Sequence, residues 1–348
     1  MKVEARRVFR LSLTTALALG AAYGLAVPLP YLAPVVALIL TAAPAPPMGP
    51  KGLLGLILMV LMTLGVGLLL IPLLRNYPFS AVLMVAAGLY FSTYLTVNLG
   101  KGLVGTLFAV GLTMIPAAGT VDFRLALVVI QSLVFAVGLA IVCHWAVYPW
   151  FPENPGGAPA APAHTTPSAA NWISLRTALI VLPPFLLALT NPATYLALIM
   201  KSIALGQQGS LVSARTAGRE LLGSTFLGGC FAIAFWFALK LDPSLWMFFC
   251  WMLLFGIVLA AKLYQVIATR FPASFWQNVA VTMLILVGPA VEDTANGKDV
   301  QEAFVMRMSL FVAVTLYAWA AVYALERWRD RRSTPARPSP SPPSLEPT

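Results

Sequence analysis

Twelve apolar runs, separated by short polar joints, decide what this chain can become. They are 11–27, 31–43, 53–74, 79–97, 103–117 and 125–148, then 175–189, 194–205, 221–239, 245–261, 275–290 and 303–325. A helix that crosses a bilayer needs about 20 mainly apolar residues. With their flanks most runs reach that length, and hydrocarbon tolerates only helices or closed barrels. The expected fold is therefore an all-α, polytopic integral membrane protein with about 12 transmembrane helices. Only 10% of the 348 residues are charged and 59% are hydrophobic, which excludes a soluble globular enzyme, a disordered protein and a disulfide scaffold.

The runs fall into two sets. Residues 1–150 form a first transmembrane repeat and 172–332 a second. Between them lies a flexible Pro/Gly/Ala linker, 151–171, and after them a Pro/Ser-rich disordered tail, 333–348. Arg10 precedes the first run and Arg176 the seventh. Tyr31-Leu32-Ala33 opens the second and Tyr195-Leu196-Ala197 the eighth. Lys51-Gly52-Leu53-Leu54-Gly55 and Arg219-Glu220-Leu221-Leu222-Gly223 lead into glycine-bearing helices. Pro116 and Pro289, Arg124 and Arg307, and Trp150 and Trp328 continue the parallel. This order points to a duplication in two six-helix units. The competing layout leaves the two short, proline-bordered runs (31–43 and 194–205) uncrossed and gives five plus five helices, inverted.

The net charge of +10 would suggest nucleic acid in a soluble protein, but here the basic residues cluster at the ends of apolar runs. With six spans per half, Arg75, Arg124, Lys240, Lys298 and Arg307 fall outside, Lys201 falls within a span, and the remaining Lys and Arg lie inside. The positive-inside rule then places both termini in the cytoplasm. The inverted layout satisfies the same rule. The first run, behind Lys2, Arg6, Arg7 and Arg10, reads as an uncleaved helix rather than a signal peptide. Cys143, Cys230 and Cys250 lie in apolar runs with no metal-ligand spacing, so they read as core residues, and neither metal nor cofactor is expected. No HExxH, phosphate-binding glycine loop or nucleophile motif is present, so an enzyme is not expected.

The Arg-led first helix, the Pro-bordered short second helix (Pro30–Pro34, Pro192–Ala197) and the basic-x-x-x-Gly entry to the third (Lys51–Gly55, Arg219–Gly223) resemble the fusaric-acid-resistance (FUSC) and aromatic-acid-exporter superfamily. The segment Arg219–Gly229 is the most similar. Full-length members usually carry sizeable cytosolic domains, and this chain has only a short linker and tail, so it looks like a membrane-only branch. The resemblance implies an inner-membrane exporter of small organic anions such as aromatic carboxylic acids, working with a periplasmic adaptor protein. An anion channel and a non-transporting subunit of an efflux assembly are the alternatives. A homo-oligomer is compatible with the sequence.

Lys201 is the sharpest candidate for binding a carboxylate, because an ammonium at mid-membrane costs at least about 2.5–3.5 kcal/mol and needs a partner. Its alternative is a side chain that snorkels to the cytoplasmic face. The polar stretch 206–220 reads as a loop whose Gln207, Gln208, Ser210, Ser213, Arg215 and Arg219 gather anions in a vestibule, or as an ordinary basic loop. Tyr31 and Tyr195 offer stacking on an aromatic substrate or interfacial anchoring. Glu220 and His144 are the candidates for coupling, although a lone His144 on an apolar helix suits a core position as well. Arg124 and Arg307 read as structural ion pairs with Asp122 and Glu302. Gly65, Gly67, Gly223, Gly228 and Gly229 read as helix-packing stripes.

Overall fold

The computed structural model describes residues 2–100, 102–154, 167–211, 214–295 and 300–333. Within them the chain forms twelve helices. These are α1 (Val3–Gly24), α2 (Leu32–Ala42), α3 (Pro50–Asn76), α4 (Pro78–Asn98), α5 (Gly102–Val121) and α6 (Phe123–Val147), followed by α7 (Pro167–Thr190), α8 (Pro192–Leu211), α9 (Ala214–Leu241), α10 (Leu245–Leu263), α11 (Ala273–Ala295) and α12 (Val300–Ser333). Nine of the described helices, α3–α7 and α9–α12, are long and apolar enough to cross a membrane. The fold is that of an all-α, multi-pass membrane protein.

The other three differ for a physical reason. α1 buries Arg10, Ser12, Thr14 and Thr15, because it packs against α10 and α6 rather than lipid. α2 has 11 residues, about 16 Å of helix, well short of the hydrocarbon thickness. The apolar part of α8 is Tyr195–Gly206. Both short helices are enclosed. In the most apolar window of α11 83% of residues are buried and in that of α5 72%, against 28% for α12. The centre is therefore built from α2, α5, α8 and α11, and a helix wrapped in protein needs no full apolar length.

Contacts at the helix ends fix the direction of each helix. Tyr264, just after α10, donates its hydroxyl to the carbonyl of Ala42 (2.9 Å) at the end of α2. Trp145 near the end of α6 donates to the carbonyl of Met48, just ahead of α3. Arg10 on α1 pairs with Glu153 (2.8 Å) after α6. These ends share one face of the bundle, called proximal below. On the opposite, distal face Arg75 donates to the carbonyls of Gly119 and Thr120, at the end of α5. Arg307 pairs with Asp293 there (2.6 Å), not with the expected Glu302. Asp122 caps α6 through the backbone N–H of Arg124 (2.9 Å). α2 thus ends on the proximal face and, being short, starts inside the bundle on its distal side.

The contacts come in matched pairs. α1 packs on α10 and α7 on α4; α3 packs on α5 and α9 on α11. Arg10 joins Glu153 beside a Phe9–Phe151 stack, and Arg176 joins Glu326 (2.7 Å) beside a Trp172–Trp328 stack. Without a hydrophobic drive between helices in lipid, close approach supplies the attraction. Gly67 lies against Gly111 where α3 meets α5, and Gly228 against Thr282 where α9 meets α11. Gly65 faces open space, unlike its expected packing role, and Cys230 is exposed on α9 rather than in the core.

Both ends of the 151–171 linker are built into the bundle: Glu153 and Asn154 bind Arg7, Arg10 and Arg6, and α7 begins at Pro167. The remainder of the linker, 155–166, and the tail from 334 lie outside the described residues.

Candidate functional site

α8 carries Lys201 at its midpoint, and its side chain is fully buried. The amine donates to Thr282 Oγ1 (2.7 Å) and Asn278 Oδ1 (3.3 Å), both on α11. Asn278 and Thr282 are four residues apart, so they share one helix face. The Thr282 hydroxyl donates to the Asn278 carbonyl (2.6 Å), which leaves its oxygen lone pair toward Lys201. Asn278 Nδ2 donates to Ser224 Oγ on α9 (2.6 Å), and beside it Thr225 meets Thr315 of α12 (3.1 Å). Four helices thus enclose one polar cluster in which no side chain is more than 5% exposed.

The chemistry is that of an incomplete cage. An ammonium has three N–H donors and accepts none. Two acceptors meet Lys201, both neutral, and no carboxylate forms an ion pair with it among the described residues. Burying a charge without a counter-ion is costly, and an anion meeting the third N–H would offset that cost. The snorkelling alternative does not hold. Partners at the same depth make a reach to water unnecessary, and the amine points among α9 and α11.

The other expected site residues are spread out. Tyr31 is buried at the distal start of α2 under Gly288 of α11, so it is not an anchor at the lipid interface. Tyr195 is half-buried at the start of α8, six residues and about 9 Å along the helix from Lys201. The described part of 206–220 is helix rather than loop: α8 continues to Leu211 and α9 starts at Ala214, as the Gln, Ala, Arg and Glu content favours. Ser213 and the side chains of Gln207, Gln208, Ser210 and Arg215 lie outside the described residues. Arg219 is exposed and Glu220 half-buried, one helical turn proximal to Ser224 on the same face of α9.

His144 is buried in the last turn of α6, edge-on to Tyr148 (5.8 Å between ring centroids), whose ring also carries the Arg10 guanidinium at 5.6 Å. It belongs to the proximal Arg10–Glu153 cluster and is not part of the Lys201 cage. Among the described residues no group of three His, Cys, Asp or Glu gathers that could hold a metal ion.

Sequence reasoning did not find Ser224, Asn278 and Thr282. The available signal was a polar pair at four-residue spacing inside the α11 apolar run, with Ser-Thr inside the α9 glycine stripe. Next to the cage, a cavity of about 80 Å³ lies where the two sets of helices meet. Val35, Ile39, Val110, Met200, Ile203 and Ile285 line it. It is apolar, and no charged side chain among the described residues lines it.

Comparison with known proteins adds a family of unassigned role. The model of a family described as "Protein of unknown function (DUF2955)" matches residues 7–147. No curated protein and no solved structure matches the chain. The family match begins inside α1 and stops at the last residue of α6, so residues 7–147 are similar to that family over one set of six helices.

Proposed function

We propose that the chain is a secondary transporter that exports small organic anions, such as carboxylic acids, across a bacterial inner membrane, with both termini in the cytoplasm. It consists of two six-helix repeats in parallel orientation, and is a relative of the FUSC and aromatic-acid-exporter superfamily. Three observations support the repeat reading: the matched helix contacts, the Arg10–Glu153 and Arg176–Glu326 pairs, and a family match that ends with α6. Two bundles that rock on one another are the usual basis of alternating access. The proximal face carries Arg6, Arg7, Arg10, Lys51, Arg176 and Arg219, which favours a cytoplasmic position for it.

The observation that carries the export reading is the buried Lys201 with neutral partners only. In this closed arrangement an anion reaches the amine only if helices move, which favours a transporter over a channel. A periplasmic adaptor protein would complete the export route. The test is uptake of radiolabelled benzoate and other weak acids into inverted membrane vesicles. Lys201→Ala should abolish uptake while the protein stays inserted, and wild-type uptake by that variant would remove Lys201 from the site. Single cysteines at Ala160 and Pro335, in a background lacking the native three, should be labelled only from the cytoplasm; external labelling at position 160 would restore the inverted five-plus-five layout.

A further inference from the structure

The distal face holds a second feature, independent of export. α10 packs on α1 and α9 on α11, so α9 and α10 diverge beyond the Pro243 turn that joins them. The gap is a cavity of about 470 Å³ between the distal ends of α1, α9, α10 and α11. Its inner wall is apolar, built from Tyr23, Trp236, Leu239, Leu245, Phe248 and Val291. Tyr23 and Phe248 meet edge-on (4.9 Å) at its base.

One cation stands at its rim. The Lys240 ammonium is exposed, lies 5.8 Å from the Trp236 ring centroid and 6.0 Å from that of Phe237, and pairs with no carboxylate among the described residues. Ser244 accepts from the Met247 N–H (3.2 Å) and keeps its hydroxyl proton for another acceptor. The matching residue of the first half behaves differently: Arg75 turns inward onto the carbonyls of Gly119 and Thr120.

We propose that this groove binds one anionic phospholipid of the distal leaflet, with the acyl chain along Tyr23, Phe248 and Val291 and the phosphate at Lys240 and Ser244. An apolar slot that opens at the end of the spans, with an unpaired ammonium and aromatic rings at headgroup level, is complementary to such a lipid in both polarity and charge. A zwitterionic lipid fills the slot equally well but gains less from Lys240. One surface lysine is worth about 1 kcal/mol toward anionic lipid, about a fivefold preference.

Native mass spectrometry of the full chain in neutral detergent, with equal phosphatidylglycerol and phosphatidylcholine added, tests this. The wild type should retain one phosphatidylglycerol in about fivefold preference. Lys240→Ala should remove the preference, and Lys240→Arg should keep it. Thr294→Trp, which fills the groove, should displace both lipids, while Arg124→Ala, an exposed distal charge elsewhere, should change nothing. Equal retention by the wild type and Lys240→Ala overturns the proposal, as does an equal loss in Arg124→Ala or undiminished lipid in Thr294→Trp.

Discussion

Lys201 on α8 and Thr282 on α11 are joined at 2.7 Å inside the bundle, and the hydroxyl that receives the amine proton gives its own to the Asn278 carbonyl. Thr282→Val keeps the shape and removes the acceptor. The buried amine then keeps only Asn278 Oδ1 at 3.3 Å, so stability should fall by about 1–3 kcal/mol. Lys201→Met removes the uncompensated buried charge but leaves Asn278 Oδ1 without its donor, so the two effects oppose each other and its net cost should be below about 3 kcal/mol. In the Lys201→Met background Thr282→Val should cost less than half as much. Thermal unfolding of the four variants in detergent gives the coupling, and a coupling of zero would separate the two residues.

The two arginine–glutamate pairs should not be worth the same. Arg10 and Glu153 have side-chain exposures of 1% and 8%, against 4% and 20% for Arg176 and Glu326. Glu153 also serves Arg7, and Arg10 has a further acceptor only in the Phe151 carbonyl (3.2 Å). Removing Glu153 therefore strands a deeply buried guanidinium, at about 3–5 kcal/mol. Glu326→Ala should cost less, since water reaches that carboxylate and screens the pair. Denaturation midpoints of Glu153→Ala and Glu326→Ala should fall in that order.

The Glu153 carboxyl also predicts a pH response. Burial alone would raise its pKa, but hydrogen bonds and charge from Arg7 and Arg10 outweigh burial and hold it below the ordinary 4.5. A carboxylate depressed in the folded state contributes stability above its unfolded pKa and loses it as pH falls through the folded value. The wild type should therefore keep its unfolding temperature from pH 7 down to about 4.5 and then lose part of it, as far as this group is concerned. Glu153→Gln should start lower and lack that component of the acid-side decline. Parallel pH curves for the two proteins would count against the assignment.

The helical architecture was legible because apolar runs of membrane length permit few folds. Arg10 and Arg176 were visible as matched entries, yet their partners were not. Glu153 sits in a proline-bearing stretch that composition marks as linker, and only the return of α6 to the start of α1 brings it there. The same holds for the cage. Lys201 stands out in any apolar run, whereas Ser224, Asn278 and Thr282 are ordinary helix polars until α8, α9 and α11 converge on one depth. The 206–220 stretch misleads because its polarity and its three glycines read as loop, while its Gln, Ala, Arg and Glu residues favour helix and are taken up by the end of α8 and the start of α9.

Tyr31 and Gly288 supply the last expectation. At this point α2 comes so close to α11 that a Cβ on Gly288 would overlap the Tyr31 side chain, and the Tyr23 hydroxyl reaches the Gly288 carbonyl from α1 (3.4 Å). Three helices therefore close the distal end of the central layer at one glycine. Gly288→Ala forces Tyr31 or α11 to shift, and overpacking of this kind costs about 1–3 kcal/mol. Gain of helix propensity at that position returns only up to about 1 kcal/mol, so the net effect should be destabilising. The closest atom is the Tyr31 Cβ itself, so only Tyr31→Gly, which removes that Cβ along with the ring, opens the space, and Gly288→Ala in that background should cost less than in the wild type. Unfolding temperatures of the two single variants and the double variant decide it, and a Gly288→Ala protein as stable as the wild type would show that α2 and α11 do not make this contact.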